Sequence, residues 1–454
     1  MAAQTHLSLS VNSSNLKNRL YSIQLDWPDD ALSAHDLFDS LPDWFSAILE
    51  DPAGSGRDFL VSKQGVTHAI NSMQDAAEFM RRWKSGQFSQ RFSFPGIREL
   101  FYAAYEAGMV IESLPEPKTK TPGPTLWLLE PEWSICIDYA EHKLYLSSCI
   151  SQQQLDEVAD AIISQATSIN SKVEPVKVAE VTSGNPASYK KSVEQVKAYI
   201  SAGDIFQANI ARFWHAPLPD TELYSLYRIL RQVNPAPFSC FVKAGSSDDP
   251  LYIISASPER LFSLSSSGVV ETRPIAGTRR RGEGDDDDSL KAELLLSDKE
   301  QAEHIMLVDL ERNDLGRVCR PGSVEVNEQM TVERYSTVQH IVSNVRGQLA
   351  EEMDVVDVFR AMFPGGTITG CPKVHCMELI HEMEEQARGP YTGGVGYVSW
   401  DGSADMNILI RSFWHYRGEL NWAAGAGIVA DSDPDAELEE TGHKAEGLLR
   451  AIRV

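Results

Sequence analysis

The stretch from Phe363 to Val374, FPGGTITGCPKV, constrains the fold more than any other segment. It contains three glycines, two threonines and two prolines within twelve residues. The Gly365-Gly366 pair can adopt positive φ and let the backbone approach a ligand, and Thr367 and the neighbouring N–H groups can surround an anion. A helix is predicted from Lys373 to about Glu384, its positive N-terminus beside this stretch. The pattern alone also fits a tight turn before a helix, and its spacing excludes a P-loop.

Charge and hydropathy exclude several classes of protein. The chain has 454 residues and a net charge of −24, which argues against binding to nucleic acid or to an anionic membrane. No apolar run reaches the length of a membrane-spanning helix, and the first residues lack the pattern of a signal peptide. The six cysteines are scattered without a CxxC pair, which is typical of reduced thiols. We therefore expect a soluble cytoplasmic protein.

The order of elements predicts an α+β fold with large, mostly antiparallel sheets. Amphipathic spacing predicts a helix from Ser72 to Lys84, and a second helix is predicted from Ile97 to Gly108. The polar, proline-containing segment 171–186 is the best candidate linker. It divides the chain into an N-terminal α/β region, residues 1–180, and a catalytic region, residues 188–452.

Two pairs of carboxylates have the spacing of a helix face. Glu300 and Glu303 form the first pair, and Glu437 and Glu440 form the second. Two carboxylates, completed by waters and substrate oxygens, are the usual protein contribution to an Mg²⁺ site. Each pair taken alone also fits a solvated helix surface.

Three further features are candidates for binding or catalysis. His340 lies in an apolar context, where a histidine is more often a core residue than a catalytic one. The segment Gly425-Ala426-Gly427 can present backbone N–H groups to an anion. Lys444 follows Glu440 by one helical turn, so it can balance the carboxylates or bind a carboxylate of a ligand.

Several segments together resemble the chorismate-utilising enzymes, a family that includes anthranilate synthases, aminodeoxychorismate synthases and isochorismate synthases. The resemblance covers roughly residues 188–452, and five segments in one order are far more specific than any one of them. The segments that carry it are Ser257–Arg260, Arg273–Thr278, Asp309–Arg317, Phe363–Val374 and Gly425–Ser432. The resemblance implies two packed antiparallel sheets with helices outside and an active site between the sheets.

The resemblance also implies roles for individual residues. Glu303 and Glu440 would ligate Mg²⁺, with Glu300 and Glu437 supporting them, and the ion would hold the ring carboxylate of chorismate. His340 would assist departure of the hydroxyl group. The other residues implied in catalysis are Gln207, Thr367 and Glu300. The residues implied in substrate binding are Ala276, Gly277, Thr278, Tyr397, Arg411, Gly425, Ala426, Gly427 and Lys444.

Within the family, the chain resembles the ammonia-using members. Gln207 occupies the position where water-using members carry a lysine base. Segments 236–241 and 364–370 look like those of aminodeoxychorismate synthases, whereas Ala276, in place of a lysine nucleophile, is as in anthranilate synthases. The first assignment is favoured, with anthranilate synthase component I as the alternative. Because no Gly-x-Cys-x-Gly segment is present, ammonia is expected from a separate glutamine amidotransferase subunit.

Overall fold

Two large antiparallel sheets, packed face to face, form the centre of the molecule. The computed structural model describes residues 20–27, 31–52, 56–83, 94–165, 176–178, 180–280, 298–334 and 338–452. Apolar side chains from both sheets, including Phe59 of one and Tyr102 of the other, share one buried cluster. Helices cover the outer faces of both sheets. The predicted α+β class is therefore confirmed.

The first sheet has twelve strands in the described residues. They are β1 (Tyr21–Asp26), β2 (Phe45–Glu50), β3 (Arg57–Ser62), β7 (Trp133–Asp138), β8 (Lys143–Ser148), β9 (Thr182–Ser183), β10 (Gln207–Pro217), β11 (Phe238–Gly245), β12 (Pro250–Ser257), β18 (Gly370–Cys371), β21 (Ser412–Tyr416) and β22 (Glu419–Ile428). Their order is β1-β8-β7-β3-β2-β11-β12-β21-β22-β10-β18, and β9 also pairs with β10. The long β10–β22 pair lies near one edge, where the short strand β18 leaves much of β10 without a partner strand.

The second sheet has ten strands in the same part of the chain. They are β4 (Gly65–Ile70), β5 (Ile97–Ala103), β6 (Leu126–Pro131), β13 (Arg260–Leu264), β14 (Val269–Thr272), β15 (Ile275–Arg280), β16 (Glu325–Arg334), β17 (Val338–Gln348), β19 (Gly394–Ser399) and β20 (Ala404–Asn407). Their order is β15-β17-β14-β13-β20-β19-β5-β6-β4, with β16 on β17. Strands β1 to β8 thus share both sheets with strands that follow residue 188.

Amphipathic helices bury their apolar faces against the sheets. They are α1 (Ala34–Ser40), α2 (Met73–Arg82), α3 (Glu106–Ile111), α4 (Gln152–Gln165), α5 (Pro186–Ala202), α6 (Leu223–Val233), α7 (Asp298–Gly316), α8 (Val355–Met362), α9 (Lys373–Met383) and α10 (Pro434–Ile452). Helices α1, α4, α6 and α10 pack on the first sheet, and α2, α3, α7 and α8 pack on the second. Helices α5 and α9 cover the outer face of the β10–β22 pair. None of the described helices is long and apolar enough to cross a lipid bilayer.

The sequence patterns predicted helices α2 and α9 correctly and strand β5 incorrectly. The helices predicted after Ser72 and from Lys373 are confirmed as α2 and α9, and the Ser72 side chain caps α2 by accepting a hydrogen bond from Asp75 N. The helix predicted from Ile97 to Gly108 is wrong over its first part, which is β5. Nearly all side chains of β5 are buried, because the strand lies between the opposite sheet and the outer helices. Its sequence therefore lacks the alternation of apolar and polar residues that distinguishes a strand from a buried helix. The predicted linker lies partly outside the described residues.

Candidate active site

One face of the β10–β22 pair carries two glycines beside two amide side chains. Asn209 pairs with Gly427, and Ala211 pairs with Gly425. Because side chains alternate along a strand, Gln207 and Asn209 lie on the same face as the two glycines. This set of residues, Gln207, Asn209, Gly425 and Gly427, is called the glycine face below. Ala426 points to the opposite face, where it is fully buried under α5 and α9, so it can offer only backbone to a ligand.

Functional groups lie directly over both glycines. A Cβ atom on Gly427 would lie 2.5 Å from Gln207 Nε2 and 3.7 Å from Glu303 Oε1. A Cβ atom on Gly425 would lie 2.6 Å from the Tyr391 hydroxyl. A side chain at either glycine would therefore displace these groups, and glycine is needed here for close approach. The fold brings three predicted residues, Gln207, Glu303 and Gly427, into one place.

Helix α10 brings the second acidic pair to the same strand. Lys444 Nζ donates a hydrogen bond to Gly425 O at 3.0 Å and lies 2.7 Å from Glu440 Oε1. Glu437 Oε1 accepts a hydrogen bond of 2.6 Å from Ser432 Oγ. Lys444 therefore links the acidic side chains of α10 to the backbone of β22.

The carboxylates are suitable ligands for a hard divalent cation. Glu303 on α7 and Glu440 on α10 approach the Gly425–Gly427 segment from two helices. Over the described side chains, no three acidic, histidine or cysteine groups form a ready-made metal cluster. Mg²⁺ does not need such a cluster, because it usually keeps several waters and takes one or two protein carboxylates plus substrate oxygens. The donor set therefore fits Mg²⁺. Glu300 lies on α7 one turn before Glu303, and its side chain lies outside the described residues.

A buried carboxyl group, Glu259, was given no role by the sequence. Thr367 Oγ1 donates a hydrogen bond of 2.7 Å to Glu259 Oε1, and Glu259 is only 7% exposed. Burial raises the pKa of Glu259 to about 7, although the Thr367 hydrogen bond and the positive charges of Arg411 and Lys444 act to lower it. Glu259 can therefore exchange a proton near neutral pH. The available signal was its position in the Ser257–Arg260 segment that carried the family resemblance.

The glycine turn before α9 works differently from the prediction. Positive φ was predicted at Gly365-Gly366, but Gly365 has φ −58° and neither glycine lies in the positive-φ region, so the prediction is wrong. A Cβ atom on Gly366 would lie 2.4 Å from Leu310 Cδ2, and one on Gly365 would lie 2.8 Å from Ile408 Cδ1. The glycines are thus required for close packing of the turn against α7 and the second sheet, and this packing places Thr367 against Glu259.

A buried ion pair completes the open edge of β10. Arg388 is 1% exposed, and its guanidinium binds Glu384 in bidentate geometry at 2.7 and 2.9 Å. Arg388 Nη2 also donates to Asn209 O at 2.7 Å, and Glu384 Oε1 accepts from Ala211 N at 3.0 Å. The pair therefore makes the hydrogen bonds that a neighbouring strand would make. The two residues are four positions apart, but the strand that they contact is 173 to 179 residues away, and no local pattern indicated that contact.

Two predicted binding residues, Tyr397 and Arg411, lie in different surroundings. Tyr397 lines a cavity of about 490 Å³ together with Arg260, Asp405 and Glu50, and none of the described candidate metal ligands lines it. This cavity is called the tyrosine cavity below. Arg411, by contrast, is close enough to Glu259 for its charge to lower the pKa of that carboxyl group. The tyrosine that reaches the glycine face is Tyr391.

Four further predicted residues lie on neighbouring strands of the second sheet. Thr278 of β15 pairs with His340 of β17, and Ala276 pairs with Ile341. The register shifts between Ala276 and Thr278, where Gly277 lies. The side chains of Ala276, Thr278 and His340 lie outside the described residues, so the roles of this segment stay predictions.

Comparisons with known proteins are consistent with this geometry. An anthranilate synthase component I-like protein of Synechocystis is 43% identical over 357 residues, which cover 78% of this chain and 72% of that protein. Aminodeoxychorismate synthase component 1 of Bacillus subtilis is 46% identical over 267 residues, covering 59% of this chain and 56% of that protein. The crystal structure of anthranilate synthase component I from Streptococcus pneumoniae superposes with a TM-score of 0.73 at 28% identity, covering 86% of this chain and 91% of that one.

The broadest match is to a whole family of proteins. The family model described as chorismate binding enzyme matches residues 38–450. That range begins in α1 and ends in α10, so it includes every described strand except β1 and every element around the glycine face. Because the match spans nearly all of the architecture rather than one motif, the chain belongs to the chorismate binding enzymes.

Proposed function

We propose that this protein is component I of an aminodeoxychorismate synthase, which uses ammonia and Mg²⁺ to convert chorismate into 4-amino-4-deoxychorismate. The observation that carries the proposal is the neutral amide of Gln207 at the glycine face, beside Glu303. Gln207 is 4% exposed, so its amide is buried within the candidate site.

The chemistry of the amide favours ammonia over water as the nucleophile. An attacking water must lose a proton to a base, and an amide side chain is not a base. Neutral ammonia already has a free lone pair and can attack without such help. A glutamine where water-using relatives carry a lysine therefore supports amination.

The charged groups around the glycine face suit a dicarboxylate substrate. Bound Mg²⁺ would supply positive charge that neutralises and orients a carboxylate of chorismate. Glu303 and Glu440 would hold the ion, with Glu300 and Glu437 close by. Lys444 and Arg411 would attract the second carboxylate, since both add positive charge to this region.

The reaction needs one proton at the leaving group. A C–N bond forms from the ammonia lone pair, the ring C–O bond breaks, and the hydroxyl leaves as water after taking up one proton. The nitrogen loses one proton, so ammonia and chorismate give the amine and water. Glu259, with a pKa near 7 and oriented by Thr367, is placed to donate the proton, and His340 is the second candidate.

The site of amination separates this proposal from its alternative. Segments 236–241 and 364–370 support attack at C4, as does the similarity to the Bacillus subtilis enzyme. Ala276 and the similarity to proteins named anthranilate synthase support attack at C2, followed by loss of pyruvate to give anthranilate. The aligned relatives extend beyond the aligned region, with 72% and 56% of their lengths covered.

One experiment distinguishes the two products. The purified protein is incubated with chorismate, Mg²⁺ and ammonium, and products are resolved by chromatography with and without aminodeoxychorismate lyase. Formation of 4-aminobenzoate that depends on the lyase supports the proposal. Anthranilate formed without the lyase would assign the alternative. Ammonium should support turnover by this chain alone, and glutamine should do so only after a glutamine amidotransferase subunit is added.

A further inference from the structure

Two buried amide oxygens on the glycine face have no hydrogen-bond partner among the described residues. They are Gln207 Oε1 and Asn209 Oδ1. The two side chains are 4% and 9% exposed. Leaving a buried acceptor unpaired destabilises the folded protein, and native proteins pair more than about nine in ten of such groups. Two such oxygens, on residues that share one face of β10, therefore point to a ligand that donates hydrogen bonds.

The backbone fixes the direction of Asn209. Its N–H donates to Thr369 O at 2.8 Å, and its carbonyl accepts from Arg388 Nη2 at 2.7 Å. Both backbone groups thus bond toward the open edge of the sheet, and the side chain stands on the glycine face. Asn209 Oδ1 lies 2.4 Å from the position of a Cβ atom on Gly425, beside the Tyr391 hydroxyl.

The nearby cation cannot satisfy this oxygen. The guanidinium of Arg388 is already bonded to Glu384, to the Asn209 carbonyl and to Ile368 O at 3.0 Å. Arg388 and Glu384 therefore hold the strand in place and leave the amide oxygen of Asn209 for a ligand.

The ligand must be small and must carry several donors. Residues i and i+2 of a strand have Cα atoms roughly 6–7 Å apart, so one small molecule can bridge their side chains. Carboxylate oxygens of chorismate would be repelled by an acceptor, whereas ammonia has three N–H donors. Two hydrogen bonds to the amides leave its lone pair free to attack.

We propose that Asn209 together with Gln207 binds the ammonia nucleophile through these two oxygens, an inference that rests on the proposed amination. Asn209 then determines the affinity for ammonia and has little effect on the affinity for chorismate. Asn209→Leu removes the oxygen at nearly constant volume. Because that oxygen has no hydrogen-bond partner among the described residues, the substitution should leave the thermal midpoint unchanged or raise it.

The test measures the KM for ammonium and the KM for chorismate separately, with ammonium as the nitrogen source. Asn209→Leu should raise the KM for ammonium about tenfold and change that for chorismate less than about twofold. Asn421→Leu, the same change at the far end of β22, is the control and should leave both values unchanged. If the leucine variant does not fold, Asn209→Ala makes the same test.

The outcomes separate this inference from the proposed function. If wild-type turnover does not depend on ammonium, the proposed function and this inference both fail. If the wild type depends on ammonium but the Asn209 variant keeps the same KM for it, only this inference fails. A rise confined to the KM for chorismate would assign Asn209 to the substrate and would overturn the inference as well.

Discussion

The glycine face and the tyrosine cavity both contain buried charged or polar groups, but the two regions differ in how the described groups are paired. In the wall of the tyrosine cavity, Arg260 binds Asp405 in bidentate geometry at 2.8 and 2.9 Å. Glu50 of the same wall accepts hydrogen bonds at 2.7 and 2.9 Å from Arg231 behind it. These charges are neutralised within the protein.

The glycine face and its surroundings show the opposite arrangement. Gln207 and Asn209 keep unpaired amide oxygens, as judged from the described residues, and Glu259 has a pKa near 7. Unpaired polar groups and shifted pKa values occur preferentially where a substrate completes the interactions. The difference indicates that the groups of the glycine face, which lack partners among the described residues, are the better guide to where a substrate binds.

The largest expected effect on activity near the glycine face is the loss of a candidate metal ligand. Glu440→Gln removes charge from a hard-cation site at nearly constant volume, so turnover should fall more than about 10³-fold while the free energy of unfolding hardly changes. Chorismate consumption is measured over a range of Mg²⁺ concentrations, and Mg²⁺ binding is measured by calorimetry.

The neighbouring residue provides a matched control for the metal prediction. Glu439 on the same helix is 74% exposed and faces His443, so Glu439→Gln should keep normal activity. Glu303→Gln should behave like Glu440→Gln. Near-normal turnover of either variant at limiting Mg²⁺ would remove that residue from the metal site.

The next effect concerns the protonated form of Glu259. Because its pKa is raised to about 7, the acid form prevails below that pH and is lost above it, so wild-type kcat should fall as pH rises through 7. Glu259→Gln should lower kcat roughly 10²- to 10⁴-fold and abolish this pH dependence. Thr367→Val removes a hydrogen bond that lowers the pKa, so the fall should move to higher pH. An unchanged profile in both variants would exclude Glu259 as the acid.

A third prediction concerns the ion pair between Arg231 and Glu50 at the tyrosine cavity. Arg231→Met leaves Glu50, whose side chain is 2% exposed, without its cation, so the free energy of unfolding should fall by about 3 kcal/mol. The kcat/KM of the folded protein should stay within about twofold of wild type. Denaturant unfolding and steady-state kinetics measure the two quantities.

The control for this third prediction is an exposed ion pair. Arg417, whose side chain is 65% exposed, binds Asp249, and Arg417→Met should leave the free energy of unfolding almost unchanged because solvent screens an exposed ion pair. A large loss of kcat/KM in Arg231→Met, at unchanged stability, would show that the tyrosine cavity takes part in the reaction.

The smallest effect concerns Glu311, which is 4% exposed under the Gly366 turn. Burial first, and then the Asp314 carboxylate, raises its pKa from 4.5 to about 8, although Lys373 acts against this shift. Between these pH values the folded protein holds a proton that the unfolded chain has released, so wild-type stability falls as pH rises. Relative to wild type, Glu311→Gln should gain about 1 kcal/mol between pH 6 and 7, measured by urea denaturation. Parallel stability curves would contradict the shifted pKa.

Local patterns in the sequence were sufficient where the physical cause is local. The period of the apolar residues predicted α2, and the proline-lysine boundary predicted α9. The spacing of Glu437 and Glu440 placed both on α10, because residues three apart share a helix face. The all-buried strand β5 had no such signal, and the sequence could not separate it from a helix.

By itself, the sequence determined the α+β class, the acidic helices and the family, because helical spacing and ordered motifs are properties of the chain. Only the tertiary structure decided which of these segments meet. It placed Glu259 against Thr367, 108 residues later, and Tyr391 rather than Tyr397 at the glycine face. It also closed the edge of β10 with Arg388 and Glu384. Such contacts depend on packing between distant strands, where neither periodicity nor propensity indicates a partner.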